Sequence, residues 1–306
     1  MRTLKLVPVE TSIGFIRYRF IAMLVSSILV IASMAAFLAN GLNFGIDFRG
    51  GTLIEASAES PVDLAGLRGR LGALDLGDLQ IQEFGKDTDV LIRIAEKTGA
   101  TDASNDLSAV ERVRGELARD FEIRRVEIVG PQVSAELIQT GVLAVLAAIA
   151  SMLIYIWFRF EWQFSVGAVL ALVHDVALTI GLFALLQLDF NLSILAAVLT
   201  IVGYSMNDTV VVYDRVRENL RKYKKMDLAE LLNIAINETL SRTVMTSVTT
   251  MLALLALYIL GGEVIRGFTF AMIWGVIIGT YSSIFVASPL LMLLGVKRDW
   301  SGAQVE

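Results

Sequence analysis

Asn207 and Asp208 stand side by side in "IVGYSMNDTVVVYDRVREN" (201–219), whose first half is apolar enough to lie inside a bilayer. A charge at the centre of a membrane helix costs about 2.5–3.5 kcal/mol on insertion scales, so such a carboxylate faces a protein interior or a wet cavity. Two further clusters break apolar runs: His174-Asp175 in "LVHDVALTIG" (172–181), and "ETLSRTVMTSVTT" (238–250), which carries Arg242. In the latter, Thr239, Thr243, Thr246, Ser247 and Thr250 recur at helical spacing and draw one hydroxyl-bearing stripe, with Arg242 beside it. Asp208 and Arg242 enter the membrane from the same side and can meet if their helices are neighbours. An arginine favours the charged carboxylate and burial the neutral one. A site balanced between the two can load and release a proton as water access changes. A structural ion pair that pins two helices uses the same residues. His174 reads as an interhelical hydrogen-bonding residue or a proton carrier. It points about 100° away from Asp175 on a helix, so the two do not serve one cavity equally.

These side chains need a membrane bundle to position them. The chain is 55% hydrophobic and 19% charged, with mean hydropathy +0.66. That places it in the membrane class. Six apolar runs, near 20–39, 139–158, 164–187, 192–213, 243–260 and 267–290, reach the length of about 20 residues that a span requires. The first is too long for the apolar core of a signal peptide and lacks a good cleavage site, so it reads as an uncleaved span. Basic residues set the orientation. Arg2, Lys5, Arg17 and Arg19 precede the first span, seven fall in 214–242, and Lys297 and Arg298 end the chain. Both termini are therefore expected in the cytoplasm. With no cysteine and one histidine, disulfide frameworks and most multi-histidine metal sites are excluded.

The expected organisation is residues 1–39 as cytoplasmic N-terminus and first span, 40–138 as an extracytoplasmic domain, 139–294 as a five-helix membrane region with a basic loop at 214–242, and 295–306 as a cytoplasmic tail. The insert is acidic, with 18 Asp/Glu against 11 Lys/Arg. Strands are expected at 51–58, 79–84, 89–95 and 122–129, and helices at 61–74 and 107–121. The order β-α-β-β-α-β predicts a small ferredoxin-like α+β domain between the first and second membrane helices. Ahead of it, "FGIDFRGG" (44–51) predicts a short strand through Phe44, Ile46 and Phe48, then a tight turn at Gly50-Gly51. Gly45, Asp47, Gly50 and Gly51 read as a structural corner joining the span to the sheet, favoured over a binding loop. Leu228, Leu231, Leu232, Ala235, Ile236 and Leu240 predict an amphipathic helix in the cytoplasmic interface before the fifth span. Gly275 and Gly279 permit close helix contact, and Pro289 is expected to end or bend the last span. Six spans with one large insert after the first suit one half of a pseudo-symmetric transporter.

Five motifs, "FGIDFRGGT", "GPQVSAEL" (130–137), "LVHDVALTIG", "VGYSMNDTVVVYDRVREN" (202–219) and "ETLSRTVMTSVTT", resemble in order and spacing the SecD/SecF family of bacterial protein-export proteins. That family belongs to the resistance–nodulation–division (RND) superfamily, and the resemblance covers nearly the whole chain. Arg49 stands where a small or other polar residue is expected, Ser134 where Gly is usual and Tyr213 where Phe is common. The resemblance implies an α-helical membrane protein with six transmembrane helices, one RND-type half. It implies action with SecD, using the proton-motive force to promote preprotein export after translocation through the SecYEG channel. Asp208 would bind the proton and Arg242 would be its switch partner. Asn207, His174, Asp175, Thr246 and Thr250 would line the route. Expected partners are SecD, SecYEG, unfolded preprotein and membrane lipid, with YajC and YidC as further candidates. A bacterial inner membrane location is expected, with no nucleic acid, no metal, no cofactor beyond the proton gradient, and no enzymatic activity.

Three other readings compete. An RND-type proton-coupled small-molecule exporter half calls for a large aromatic-lined outer domain, whereas residues 40–138 hold four Phe and no Tyr or Trp. An intramembrane enzyme calls for a Gly-x-Ser-x-Gly or His-Glu-x-x-His motif, and neither occurs. In a passive scaffold, Asp208 and Arg242 only hold helices together.

Overall fold

The computed structural model of the chain describes residues 11–74, 76, 79–94 and 103–296, with the side chains of 103–109 outside that description. Arg2, Lys5, Lys297 and Arg298, expected to mark the two ends, lie outside the described residues. So does Ala95, the expected end of one strand. In chain order the elements are a 3-10 turn Phe15–Tyr18, α1 (Arg19–Asn40), β1 (Asn43–Phe44), α2 (Ile46–Arg49), β2 (Gly51–Ala58), α3 (Leu64–Gly72), β3 (Leu79–Phe84), β4 (Lys86–Ile94), α4 (Ala103–Leu117) and β5 (Phe121–Val129). There follow α5 (Pro131–Arg159), α6 (Trp162–Leu186), β6 (Asp189–Phe190), α7 (Leu192–Lys222), α8 (Leu228–Leu260), α9 (Glu263–Ser282), a π-helical segment Ser283–Ala287 and α10 (Ser288–Leu293). The chain divides into two compact units, one of residues 44–144 and 189–192, the other of the remainder.

The first unit is built on a four-stranded antiparallel sheet in the order β3-β4-β2-β5. With α3 after β2 and α4 after β4, this is the ferredoxin-like arrangement. Alternation places Ile54 and Ala56 of β2 and Val90 and Ile92 of β4 on the face covered by Leu67 and Leu71 of α3 and Val113 and Leu117 of α4. Helix α3 starts where Asp63 accepts the backbone N–H groups of Ala65 and Gly66 at 3.0 and 3.1 Å, satisfying donors that the helix itself leaves open. The β3–β4 hairpin turns at Gly85 alone, at φ 80°, so β4 begins at Lys86 rather than at the 89 expected. Helix α4 ends at Leu117, before the 121 expected, because Phe121 opens β5 opposite Ala58.

The corner before the sheet differs from its expected form. Only Asn43–Phe44 pairs as a strand, and Ile46–Arg49 makes one helical turn. The apparent alternation of Phe44, Ile46 and Phe48 instead reflects one buried isoleucine and two rings. Phe44 and Phe48 pack against Phe190 at centroid distances of 6.0 Å each. Gly50 and Gly51 turn the chain into β2 at φ 74° and 112°, a region L side chains rarely adopt.

The second unit contains most of the long apolar helices, while residues 131–144 of α5 fall in the first. Among the described residues, six helices are long and apolar enough to cross a bilayer: Phe15–Asn40, Pro131–Arg159, Trp162–Leu186, Leu192–Lys222, Leu228–Leu260 and Glu263–Leu293. The expected interfacial amphipathic helix is absent as a separate element. Asp227 caps a single 33-residue α8 that runs through to Leu260. The stripe Leu231, Leu232, Ala235 and Ile236 is buried in one cluster with Val216 and Leu220 of α7, so protein takes the place of lipid. At 31 residues, α7 is about 46 Å long at 1.5 Å per residue, which outruns a hydrocarbon core of about 30 Å. Its end therefore remains available to pack α8. The last span does not stop at Pro289. Proline lacks an N–H and its ring crowds the carbonyl four residues back, and the π segment Ser283–Ala287 widens the helix just ahead of it.

Candidate functional site

Two close approaches bring the polar clusters together. A Cβ on Gly275 would lie 2.2 Å from Ile201 Cγ1, and one on Gly279 would lie 3.1 Å from Ser205 Cβ. Only glycine lets α9 approach α7 this closely. The end of α9 is thereby set beside both Asp175 on α6 and Asp208 on α7.

Asp208 is 8% exposed. Its Oδ1 accepts from Thr243 Oγ1 at 2.6 Å, and its Oδ2 accepts from Ser283 Oγ at 2.5 Å. Asp175 is 1% exposed and holds three bonds: His174 Nδ1 at 2.8 Å on Oδ1, with Ser205 Oγ at 2.5 Å and Ser282 Oγ at 2.7 Å on Oδ2. The two carboxylates are thus gripped by consecutive serines. Neighbouring helical positions point about 100° apart, so Ser282 faces α6 while Ser283 faces α7. Each serine also has a second acceptor in its own helix, Gly279 O at 3.2 Å for Ser282 and Thr280 O at 3.0 Å for Ser283. Either hydroxyl hydrogen can turn from the carboxylate to the carbonyl in its own helix.

The expected site residues divide into inner and outer groups. His174 and Asp175 share one cluster despite their diverging directions, because the imidazole folds back onto its neighbour. His174 also stacks on Tyr281 at 6.2 Å, and its Nε2 is buried without a hydrogen-bond partner. Thr243 of the hydroxyl stripe faces Asp208. Arg242, the next residue round the helix, is exposed and forms no ion pair with Asp208 among the described residues. The direct partners are hydroxyls, because the α8 face that meets α7 is the threonine face. Asn207 and Thr246 are exposed, and Thr246 bonds back to the carbonyls of Arg242 and Thr243. Thr250 is half-buried. Further along the stripe, Ser247 bonds Thr280 at 2.7 Å and receives Tyr204 OH at 3.3 Å. Ser282, Ser283 and Thr280 escaped sequence reasoning. Their only signal was the paired serines in "TYSSIF" (280–285), within an apolar run.

The 44–51 corner meets the start of α7. Asp47 Oδ2 accepts the Leu192 N–H at 2.9 Å, a helix cap supplied from 145 residues away, and the Gly45 N–H donates to Phe190 O at 2.8 Å. Gly50 and Gly51 supply the turn that follows. Among the described residues, no group of three or more His, Asp or Glu is placed to hold a metal ion.

Comparison with known proteins gives a consistent result. The family model "Protein export membrane protein SecD/SecF, C-terminal" matches residues 109–297, and "SecD/SecF GG Motif" matches 35–62. A protein translocase subunit SecF of Cereibacter sphaeroides is 49% identical over 306 residues, covering 96% of this chain and 93% of the relative. The SecF of Rickettsia rickettsii is 44% identical, covering 99% and 98%. Among solved structures, SecDF of Thermus thermophilus, described as a translocon-associated membrane protein, superposes with a TM-score of 0.85 at 36% identity. A SecDF crystal in a super-membrane-facing form gives 0.65, also at 36% identity. The chain spans 94% and 95% of its own length in these two matches, but only 39% of each SecDF chain.

Proposed function

The chain belongs to the SecF family of protein translocase subunits, and from that membership we propose that it works with SecD in the bacterial inner membrane, using the proton-motive force to promote preprotein export. The observation that carries the proton step is Asp208, a buried carboxylate held by two hydroxyls from two other helices at 2.6 and 2.5 Å. An ionised carboxylate only accepts hydrogen bonds, whereas a protonated one also donates. When Asp208 takes up a proton on Oδ2, its O–H points at Ser283 Oγ, and the serine hydrogen turns to Thr280 O, already 3.0 Å away. Release of the proton reverses the exchange. Each cycle thus changes the bonding of the last span at its π segment, where helix geometry is most easily shifted.

Arg242, adjacent to Thr243 on α8, is the switch partner in this reading. Asp175 with His174 forms a second polar centre one serine away. Asn207, Thr246 and Thr250 lie on or near the surface where water or a partner subunit reaches the site. One charge crossing 100 mV supplies about 2.3 kcal/mol. That biases a two-state motion and falls short of the about 5.5 kcal/mol needed to reverse it fully. SecD is the partner in this reading, with SecYEG supplying the channel, and both termini are cytoplasmic.

The test is export into membrane vesicles carrying the full translocase, with and without a proton gradient. Asp208→Asn is expected to assemble with SecD, keep ATP-driven translocation and lose the stimulation by the gradient. Full stimulation in an assembled Asp208→Asn complex contradicts the proposal.

A further inference from the structure

Where α5 ends and α7 runs on past the apolar zone, Arg159, Asp214, Arg217, Glu218, Arg221 and Lys222 line an open cavity of about 550 Å³. The five α7 residues fall on one helix face. The lining carries four cations against two carboxylates. Asp214 is engaged by Arg159 at 2.7 Å, and Glu218 by Arg215, outside the lining, at 2.5 Å. The positive balance of the cavity is therefore a property of the site.

Two of its guanidinium groups are held in place by packing. Arg159 and Arg217 both lie over the Phe160 ring, at 5.1 and 5.3 Å from its centroid, and Arg217 Nη1 donates to the Arg159 carbonyl at 3.1 Å. Arginine anchored this way presents a preset fork to a phosphate oxygen pair. Apolar rings are exposed on the stretch of chain that leads to and from Arg159. Tyr155, one turn before Arg159 on the same face of α5, is exposed, as are Trp157, Phe158 and Trp162. Aromatic side chains of this kind collect at the level of lipid headgroups.

A cationic cavity at a membrane boundary with an apolar flank fits an anion that also carries a hydrocarbon part. We propose that this cavity binds the headgroup of an anionic phospholipid, its phosphodiester held by Arg217, Arg221 and Lys222, with an acyl chain along the Tyr155 face of α5. A soluble phosphate shares the ionic chemistry and gains nothing from the apolar flank. Basic pockets between membrane helices are a recurrent setting for such headgroups.

Native mass spectrometry of the full chain tests this, with phosphatidylglycerol and phosphatidylcholine of matched acyl chains as probes. The wild type is expected to retain phosphatidylglycerol in preference to phosphatidylcholine. Arg221→Gln/Lys222→Gln, two exposed positions, is expected to weaken that retention by about tenfold or more. Lys224→Gln/Lys225→Gln makes the same charge change outside the lining and is expected to leave retention unchanged. Inorganic phosphate is expected not to displace the lipid. Undiminished retention in the first variant, an equal loss in the second, or full displacement by phosphate each overturns the proposal.

Discussion

The Ser283 hydroxyl donates to the Asp208 carboxylate across 2.5 Å, while its chain neighbour Ser282 donates to Asp175 across 2.7 Å. One helix turn of the last span therefore holds the two acidic side chains buried among the described residues of the membrane unit, which belong to different helices. Ser283, the partner of Asp208, is also the first residue of the π segment.

Removing the Ser283 hydroxyl isolates this link. A hydrogen bond to a charged group is worth about 1.5–3 kcal/mol. Ser283→Ala is expected to lower gradient-stimulated export by about tenfold or more while the subunit still assembles. Initial export rates in vesicles with and without a gradient measure this. Equal stimulation in wild type and variant removes Ser283 from the proton step.

The approach of α9 to α7 depends on Gly275. A Cβ there would lie 2.2 Å from Ile201 Cγ1, with other Ile201 atoms at 2.5 and 2.8 Å. Gly275→Ala is expected to destabilise the membrane unit by about 1–3 kcal/mol through overpacking. Adding Ile201→Ala should recover part of that loss, because the two residues are in contact. Thermal unfolding of both single variants and the double variant in detergent gives the coupling, and strict additivity would show that the contact is not the cause.

Asp89, in the sheet unit, is 3% exposed and accepts Ser57 Oγ at 2.6 Å and Arg124 Nη1 at 3.0 Å. The Ser57 hydrogen bond, aided by the Arg124 charge, holds its carboxyl below the ordinary 3.8 against the opposing effect of burial. A depressed acid stabilises the fold fully above its unfolded value and loses that contribution as pH falls through the folded one. Protection of β2 and β4 against hydrogen exchange, corrected for intrinsic rates, is therefore expected to fall as pH drops below 3.8. Asp89→Asn should lack that component of the pH dependence. Identical pH profiles in the two proteins would contradict the assignment.

Hydropathy made the six spans legible, since bilayer thickness imposes a length that composition can meet or fail. The βαββαβ order was legible because strand and helix periods differ. Boundaries that depend on partners were hidden. The Leu231–Ile236 stripe suits lipid and protein equally, and only the overhanging end of α7 decides for protein. The one-turn helix at Ile46–Arg49 mimicked a strand because four residues are too few to separate the two periods. Within the site, Asp208 and the threonine stripe announced themselves by polarity in an apolar setting. The rotation of α8 did not, so Arg242 was expected where Thr243 stands. Ser282 and Ser283 stayed silent, because a serine in a membrane helix usually bonds its own backbone and acquires meaning only from what it faces.

The central claim is that Asp208 exchanges a proton inside the folded membrane unit. Difference infrared spectroscopy of the full chain in bilayers, titrated between neutral and acidic pH, tests it directly in wild type and Asp208→Asn. The account predicts a reversible protonated-carboxyl band in the wild type that is missing from the variant. A wild type with no such band, or a variant that shows the same band, contradicts it.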